Sequence, residues 1–302
     1  MEFCVLGTKA GGVPLVKKHS SATFLRLGAE LVLFDCAENT QVQLLRAGTS
    51  WAHINHIFIS HLHGDHILGL PPLLSTMNGD RRTAPLHLYA PKGLEEYLRL
   101  GMRIMDVQPH FDLNFTTLEE GFSGELAQIR GCTVHARMLE HRITSFGFRV
   151  QEQEQAHIDT EKLRVLGLES DKRIGIIKRE GSITLDNGRT ISLADIAAAP
   201  RKPRSFVYCG DTRVCDAVVE LAKNATVMLH EATFDASMTD KATERYHCTS
   251  RQAAEHAVKA GVERLFLTHF SVRYKSAIPL IREARKVFPQ TFMAKELKLE
   301  KV

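Results

Sequence analysis

The residues best equipped for chemistry sit in one short stretch, Ile57-Phe58-Ile59-Ser60-His61-Leu62-His63-Gly64-Asp65-His66. Three histidines and one aspartate fall within six residues there. The apolar run Ile57 to Ile59 reads as the end of a buried strand. Side chains alternate along extended backbone, so His61 and His63 point the same way. Gly64 lets the chain turn, and Asp65 and His66 open a helix whose Ile67, Leu68 and Leu70 pack inward. One loop then presents three imidazoles and a carboxylate to one small volume. Imidazole plus carboxylate without thiolate suits zinc, or a similar divalent metal, in an open catalytic site better than in a closed structural one. The plain alternative, a set of solvated loop histidines, fits poorly with such density directly after a buried strand.

Other elements must bring further ligands to that loop. His141 follows the strand-like run Val134 to Leu139, Asp211 follows Phe206 to Cys209, and His269 follows Leu265 to Thr268. Each comes after a buried run and could be held rigidly at a common edge, though each alone also reads as an ordinary turn residue. Strand and helix patterns alternate in both halves. Phe3 to Leu6, Ala22 to Leu27, Leu31 to Phe34, Leu86 to Ala90, Cys132 to Leu139 and Phe146 to Val150 read as strands before residue 151. Phe206 to Cys209, Val227 to His230 and Leu265 to Thr268 follow the same pattern later, with helices at Val214 to Lys223, Arg251 to Ala260 and Ala277 to Val287. Two mixed sheets with outer helices would bury these strands from both sides.

Composition sets wide bounds. A chain of 302 residues, 44% hydrophobic and 25% charged, can bury a sizeable core as one domain with an insertion. A net charge of +4 permits a nucleic-acid partner without arguing for one. The six cysteines form no C-x-x-C pair, which fits reduced thiols in a cytoplasmic protein better than a disulfide framework. No signal-like or membrane-spanning run is present, so no membrane association is expected. From about Gln151 the character changes, and residues 152–203 read as an inserted flexible arm. Asp186-Asn187-Gly188 marks a hairpin turn in it, and Lys172, Arg173, Lys178 and Arg179 are its basic residues.

The H-x-H-x-D-H spacing resembles the metallo-β-lactamase superfamily, which implies an αββα sandwich of two mixed β-sheets with outer helices, spanning residues 1–302. Further elements narrow the resemblance: Phe34-Asp35-Cys36, Gly210-Asp211-Thr212, His230-Glu231-Ala232-Thr233-Phe234, His247-Cys248-Thr249-Ser250 and Thr268-His269-Phe270-Ser271-Val272-Arg273-Tyr274, in that order. With these the chain resembles the short form of tRNase Z, the endoribonuclease family that removes 3′ trailers from precursor tRNA.

That resemblance implies two zinc ions, one on His61, His63 and His141 and one on Asp65, His66 and His269, with Asp211 bridging. A hydroxide held by the metals would attack the phosphodiester, leaving a 3′-hydroxyl on the tRNA and a 5′-phosphate on the trailer. Asp65 would handle the nucleophile's proton. His247, partnered by Glu231, would protonate the leaving oxygen, and Arg273 would bind the substrate phosphate. Asp35 is a candidate to hold a metal-bound histidine through its free N–H. The resemblance further implies a homodimer, and an arm that grips the tRNA. His230 reads as structural, and His53, His56, His87, His135 and His256 as packed or solvated.

Two departures from the family's pattern stand out. Ala37 and Asn39 occupy positions where the family has glycine, and Ala adopts positive φ poorly. The arm carries Gly167-Leu168-Glu169-Ser170-Asp171 in place of a Gly-Pro pair. The competing readings are a hydrolase of small phosphodiesters or aryl sulfates on the same site, and a catalytically silent RNA-binding scaffold. A small-molecule hydrolase has no need of the arm, and a silent scaffold has no need of His247 and Arg273.

Overall fold

The computed structural model describes residues 1–11, 14–154, 158–169, 171–198 and 201–302. It divides into two compact units, residues 1–151 with 204–302, and residues 152–203.

The larger unit begins with β1 (Glu2–Gly7), β2 (Ala22–Leu27), β3 (Glu30–Phe34), α1 (Thr40–Arg46) and β4 (Ile54–Phe58). Next come α2 (Gly64–Ile67), α3 (Leu70–Gly79), β5 (Leu86–Pro91), α4 (Leu94–Ile104) and β6 (Leu113–Leu118). The strands β7 (Ser123–Ile129), β8 (Cys132–Leu139) and β9 (Ser145–Glu152) complete this half. α3 lies where no helix was read from the sequence, and it holds Pro71 and Pro72. Proline is tolerated in a helix's first turn, where no N–H is needed, and both residues lie there.

Residues 152–203 form a small unit with its own core. It holds α5 (Thr160–Val165), α6 (Ile174–Glu180), the hairpin β10 (Ser182–Thr184) with β11 (Thr190–Ser192), and α7 (Leu193–Ile196). The side chains of Leu163, Leu168, Ile177, Ile191 and Ile196 are buried against one another. Gly188, at φ +80°, supplies the turn of the hairpin.

The larger unit resumes with β12 (Ser205–Tyr208), α8 (Asp216–Leu221), β13 (Val227–Glu231), α9 (Thr239–Glu244) and α10 (Ser250–Ala260). It ends with β14 (Arg264–Thr268), α11 (Ile278–Arg285), β15 (Thr291–Met293) and β16 (Leu299–Lys301). Two seven-stranded sheets result, in the orders β16-β1-β2-β3-β4-β5-β6 and β15-β14-β13-β12-β9-β8-β7.

Aromatic rings fill the space between the sheets. Phe34 and Phe58 of one sheet lie 5.9 and 5.4 Å from Phe148 of the other, centroid to centroid. Helices cover the outer faces, α1, α3 and α4 on the first sheet and α8, α10 and α11 on the second. The result is the four-layer αββα sandwich. Within it β3, β4 and β5 run parallel, as do β12, β13 and β14. Parallel strands end together, so both sheets deliver the residues that follow their strands to one edge.

Candidate metal centre

Asp35 follows β3, and the His61–His66 loop follows β4. His141 lies in the turn between β8 and β9, Asp211 follows β12, Glu231 ends β13 and His269 follows β14. The two sheets are stitched together at this edge: Phe146 N donates to Ser60 O at 2.9 Å. Gly210 makes that approach possible, since a Cβ there would lie 2.7 Å from Ser60 Cβ and 2.8 Å from Phe146 O.

The residues gathered here fall into overlapping groups whose ligand atoms lie within 4.8 Å of one another. These groups are His61, His63 and His141; His61, His66 and Asp211; and Asp65, His66 and His269. All seven ligand candidates are therefore brought together. The Nε2 atoms of His61, His66 and His269 are buried without a hydrogen-bond partner among the described residues. They lie 3.7, 3.5 and 3.4 Å from Asp211 Oδ2. Those gaps are too long for hydrogen bonds and match a cation seated between nitrogen and oxygen at about 2.0–2.2 Å from each. The donor set thus fits a divalent metal.

The other ring nitrogen of each histidine explains which lone pairs face inward. His66 Nδ1 donates to Asp35 Oδ2 at 2.7 Å, and Asp35 also accepts from Ser60 N, Ser60 Oγ and Tyr208 Oη. Because Ser60 Oγ gives its proton to Asp35, it accepts from His61 Nδ1 at 3.0 Å. Thr233 Oγ1 donates to Glu231 Oε2 and so accepts from His269 Nδ1 at 3.0 Å. His141 Nδ1 donates to Tyr246 O at 2.8 Å. Four imidazoles are thereby anchored through Nδ1 with Nε2 turned towards the cluster, the arrangement that outer partners impose on metal ligands. His63 instead turns its Nδ1 to within 3.2 Å of His141 Nε2.

Charges follow from burial and neighbours. Burial and the nearby His66 hold His61 well below the usual imidazole range. Burial also favours neutral His66, but the carboxylates of Asp211 and Asp35 outweigh it and raise its pKa. Burial opposes ionisation of Asp211, and the surrounding His269 and His66 overcome it, keeping the carboxyl ionised. Asp65 is held ionised in the same way, by His269 and His66.

Beside this cluster stands an acid–base pair. His247 Nδ1 meets Glu231 Oε1 at 2.9 Å. Burial would lower the His247 pKa, yet the Glu231 carboxylate raises it to about 9. The ring therefore carries a proton at neutral pH. Glu231 is wholly engaged, accepting also from Cys248 N, Thr233 N and Thr233 Oγ1. Behind His247, α10 opens with a reciprocal cap: Gln252 N donates to Thr249 Oγ1, and Thr249 N to Gln252 Oε1.

A cleft of about 400 Å³ opens over the cluster. His63, Asp65, Asp211 and His247 line it, together with the cations Arg142, Lys241, Arg245 and Arg273. Arg273 is exposed, with its guanidinium 5.1 Å from the Phe234 ring centroid. Sequence reasoning missed Arg142, Lys241 and Arg245, although Arg142 directly follows His141 and Arg245 lies two residues before His247. It also missed Ser60 and Thr233, although both lie in quoted segments.

His230 and His256 form a separate buried pair. His230 Nδ1 donates to Glu231 O at 2.7 Å, and its Nε2 lies 3.0 Å from His256 Nδ1. Burial lowers both rings, His256 to about 3, so they stay neutral and support the Glu231 backbone. These contacts hold His230 within the core between β13 and α10.

A family model described as anti-Pycsar protein Apyc1 matches residues 1–278. Among curated proteins, the chain is 39% identical to a ribonuclease Z of Nostoc sp., over 97% of this chain and 92% of that one. It is 40% identical to a ribonuclease Z of Picosynechococcus sp., over 98% and 95%. Among solved structures it resembles the short form of human tRNase Z, with a TM-score of 0.73, 29% identity, and coverage of 100% of this chain and 99% of that one.

Proposed function

Because the chain belongs to the ribonuclease Z family, and to the family described by the Apyc1 model, we propose that it is a metal-dependent endoribonuclease that removes the 3′ trailer of precursor tRNA. One observation carries the reading. Three buried, unpartnered imidazole nitrogens converge on a single Asp211 oxygen beside a protonated histidine.

Two divalent ions, with zinc suited to this set of imidazoles and carboxylates, would activate water and offset the charge that develops on phosphate. His61, His63 and His141 would hold one ion and Asp65, His66 and His269 the other, with Asp211 shared. Asp65, kept ionised, orients the attacking water and accepts its proton. His247 gives its Nε2 proton to the departing 3′ oxygen, and Glu231 keeps that ring charged and correctly turned. Water adds to phosphorus as the P–O3′ bond breaks, which yields a 3′-hydroxyl on the tRNA and a 5′-phosphate on the trailer. Arg273, with Arg142, Lys241 and Arg245 around the same cleft, supplies charge for the substrate's phosphates.

The unit of residues 152–203 grips the tRNA through Lys172, Arg173, Lys178 and Arg179. The likeness to the short form of tRNase Z supports a homodimer. Six buried free thiols support a reducing, cytoplasmic setting. Among the described residues no helix is long and apolar enough to cross a membrane.

The deciding experiment incubates the purified protein, with Zn²⁺, with a 3′-extended precursor tRNA and maps the cut. Cleavage at the 3′ end of the tRNA body, abolished by a chelator, is expected. An intact precursor alongside rapid hydrolysis of a small phosphodiester overturns the assignment.

A further inference from the structure

β14 carries His269 just past its last residue, and its first residue faces a different cavity. Five residues of strand, at about 3.3 Å each, put roughly 17 Å between the two ends. This second cavity, of about 520 Å³, lies among β14, β15, α11 and the β16 segment. Its floor is apolar and partly aromatic: Phe266 and Phe292 stack with centroids 5.2 Å apart, over Ile281. Ile278 stands at its rim, 50% exposed.

The polar lining is almost entirely cationic. Arg264, Arg282, Arg285, Lys295 and Lys298 line it, against the single carboxylate of Glu300. Glu300 is engaged by Lys298 at 2.6 Å. Arg285 donates Nε to Thr291 O at 2.8 Å, which fixes its guanidinium and leaves the terminal nitrogens free. Arg264, Arg282 and Lys295 have no carboxylate partner among the described residues. Five cations and one anion leave a local excess of four positive charges, equal to the formal excess of the entire chain. Like charges gathered around an apolar hollow repel one another and destabilise the fold unless an anion shares the site.

We propose that this cavity binds a small organic phosphate with a flat apolar body, of the nucleoside monophosphate class. The volume is in the range of small-molecule sites, and such sites pair an apolar lining with a few placed polar groups. The base covers Phe292 and Ile278, and the phosphate takes the free guanidinium donors of Arg264, Arg282 and Arg285, whose fork geometry matches phosphate oxygens.

The test titrates AMP, adenosine and inorganic phosphate separately into the metal-loaded protein by calorimetry. AMP is expected to bind with a Kd of about 100 μM or tighter, and adenosine and phosphate each at least about tenfold more weakly. Arg264→Ala with Arg282→Ala should weaken AMP at least about tenfold and leave precursor-tRNA cleavage unchanged. Arg282→Glu, a single change on the exposed face of α11, should do the same and guards against misfolding of the double variant. Three results overturn the proposal: AMP binding that survives these substitutions, phosphate binding as tight as AMP, or loss of precursor-tRNA affinity in a variant whose parent does not bind AMP.

Discussion

His247 at neutral pH holds a proton that free histidine would largely have lost, because Glu231 lies 2.9 Å from its Nδ1. The sign of the resulting pH dependence is fixed. The folded value, about 9, exceeds the ordinary 6.5, so the pair's stabilisation is complete below about 6.5 and is lost as pH rises through 9. Activity that needs the protonated ring falls over the same upper range, and cations seated nearby move that limb to lower pH. Glu231→Gln should therefore shift the basic limb of the kcat profile further down, towards 6.5. His247→Ala should slow precursor-tRNA cleavage roughly 10²–10⁴-fold while sparing metal content, with a smaller loss on a nitrophenyl phosphodiester, whose leaving group needs no proton. A limb that stays in place in Glu231→Gln would remove His247 from the acid's role. At Asp211 the expected loss is of metal: Asp211→Ala should take the bound ions, measured by elemental analysis, from about two per chain to one or none. The loop histidines were legible from their spacing, and His141 and His269 only from strand-end position together with the family resemblance. Ser60 and Thr233 were not, because a hydroxyl that relays a hydrogen bond leaves no periodic trace.

The site is assembled by the elements that end at it, and their junctions tolerate little change. Gly210→Ala would drive a methyl against Ser60 Cβ and Phe146 O, where the two sheets meet. Overpacking of this kind costs about 1–3 kcal/mol, and here it also displaces the loop that carries His61. A lower urea midpoint together with reduced metal content is expected, and full metal occupancy in this variant would contradict the coupling. The neighbouring loop shows what pattern reading gets right and wrong. Asn39 does take positive φ, at +68°, but Ala37 does not, so the feared strain at Ala37 is absent. Buried parallel strands were read closely, since their apolar runs are continuous. Three-residue edge strands such as β15 and β16 were invisible, being too short for a period. The helices of residues 152–203 were only partly visible, because a five-residue core leaves little amphipathic signal.

At the scale of the whole molecule, the proposed function assigns chemistry and grip to different units. Residues 152–203 form a unit with its own core, so replacing them by a short Gly-Ser linker should leave hydrolysis of a small phosphodiester nearly unchanged. Precursor-tRNA cleavage should collapse through affinity, and the salt dependence of binding should weaken as phosphate contacts are lost. Near-normal processing by the shortened protein would assign tRNA binding elsewhere. Metal removal acts on the whole molecule in another way. The buried Nε2 atoms of His61, His66 and His269, left without a partner, each cost about 1–3 kcal/mol, and a bound cation removes that cost. Chelation should therefore lower the melting temperature, and zinc added back should restore it.

The stitched edge also sets a timetable for synthesis. His61, His63, Asp65 and His66 leave the ribosome in the first quarter of the chain, whereas His269 belongs to the last eighth. A growing polypeptide thus carries an open-handed cluster of imidazoles through most of its manufacture, able to catch a stray ion but not to cage it. On the proposed ligand assignment the cage would close only when β14 docks beside β13, which would bind loading to the last stages of maturation.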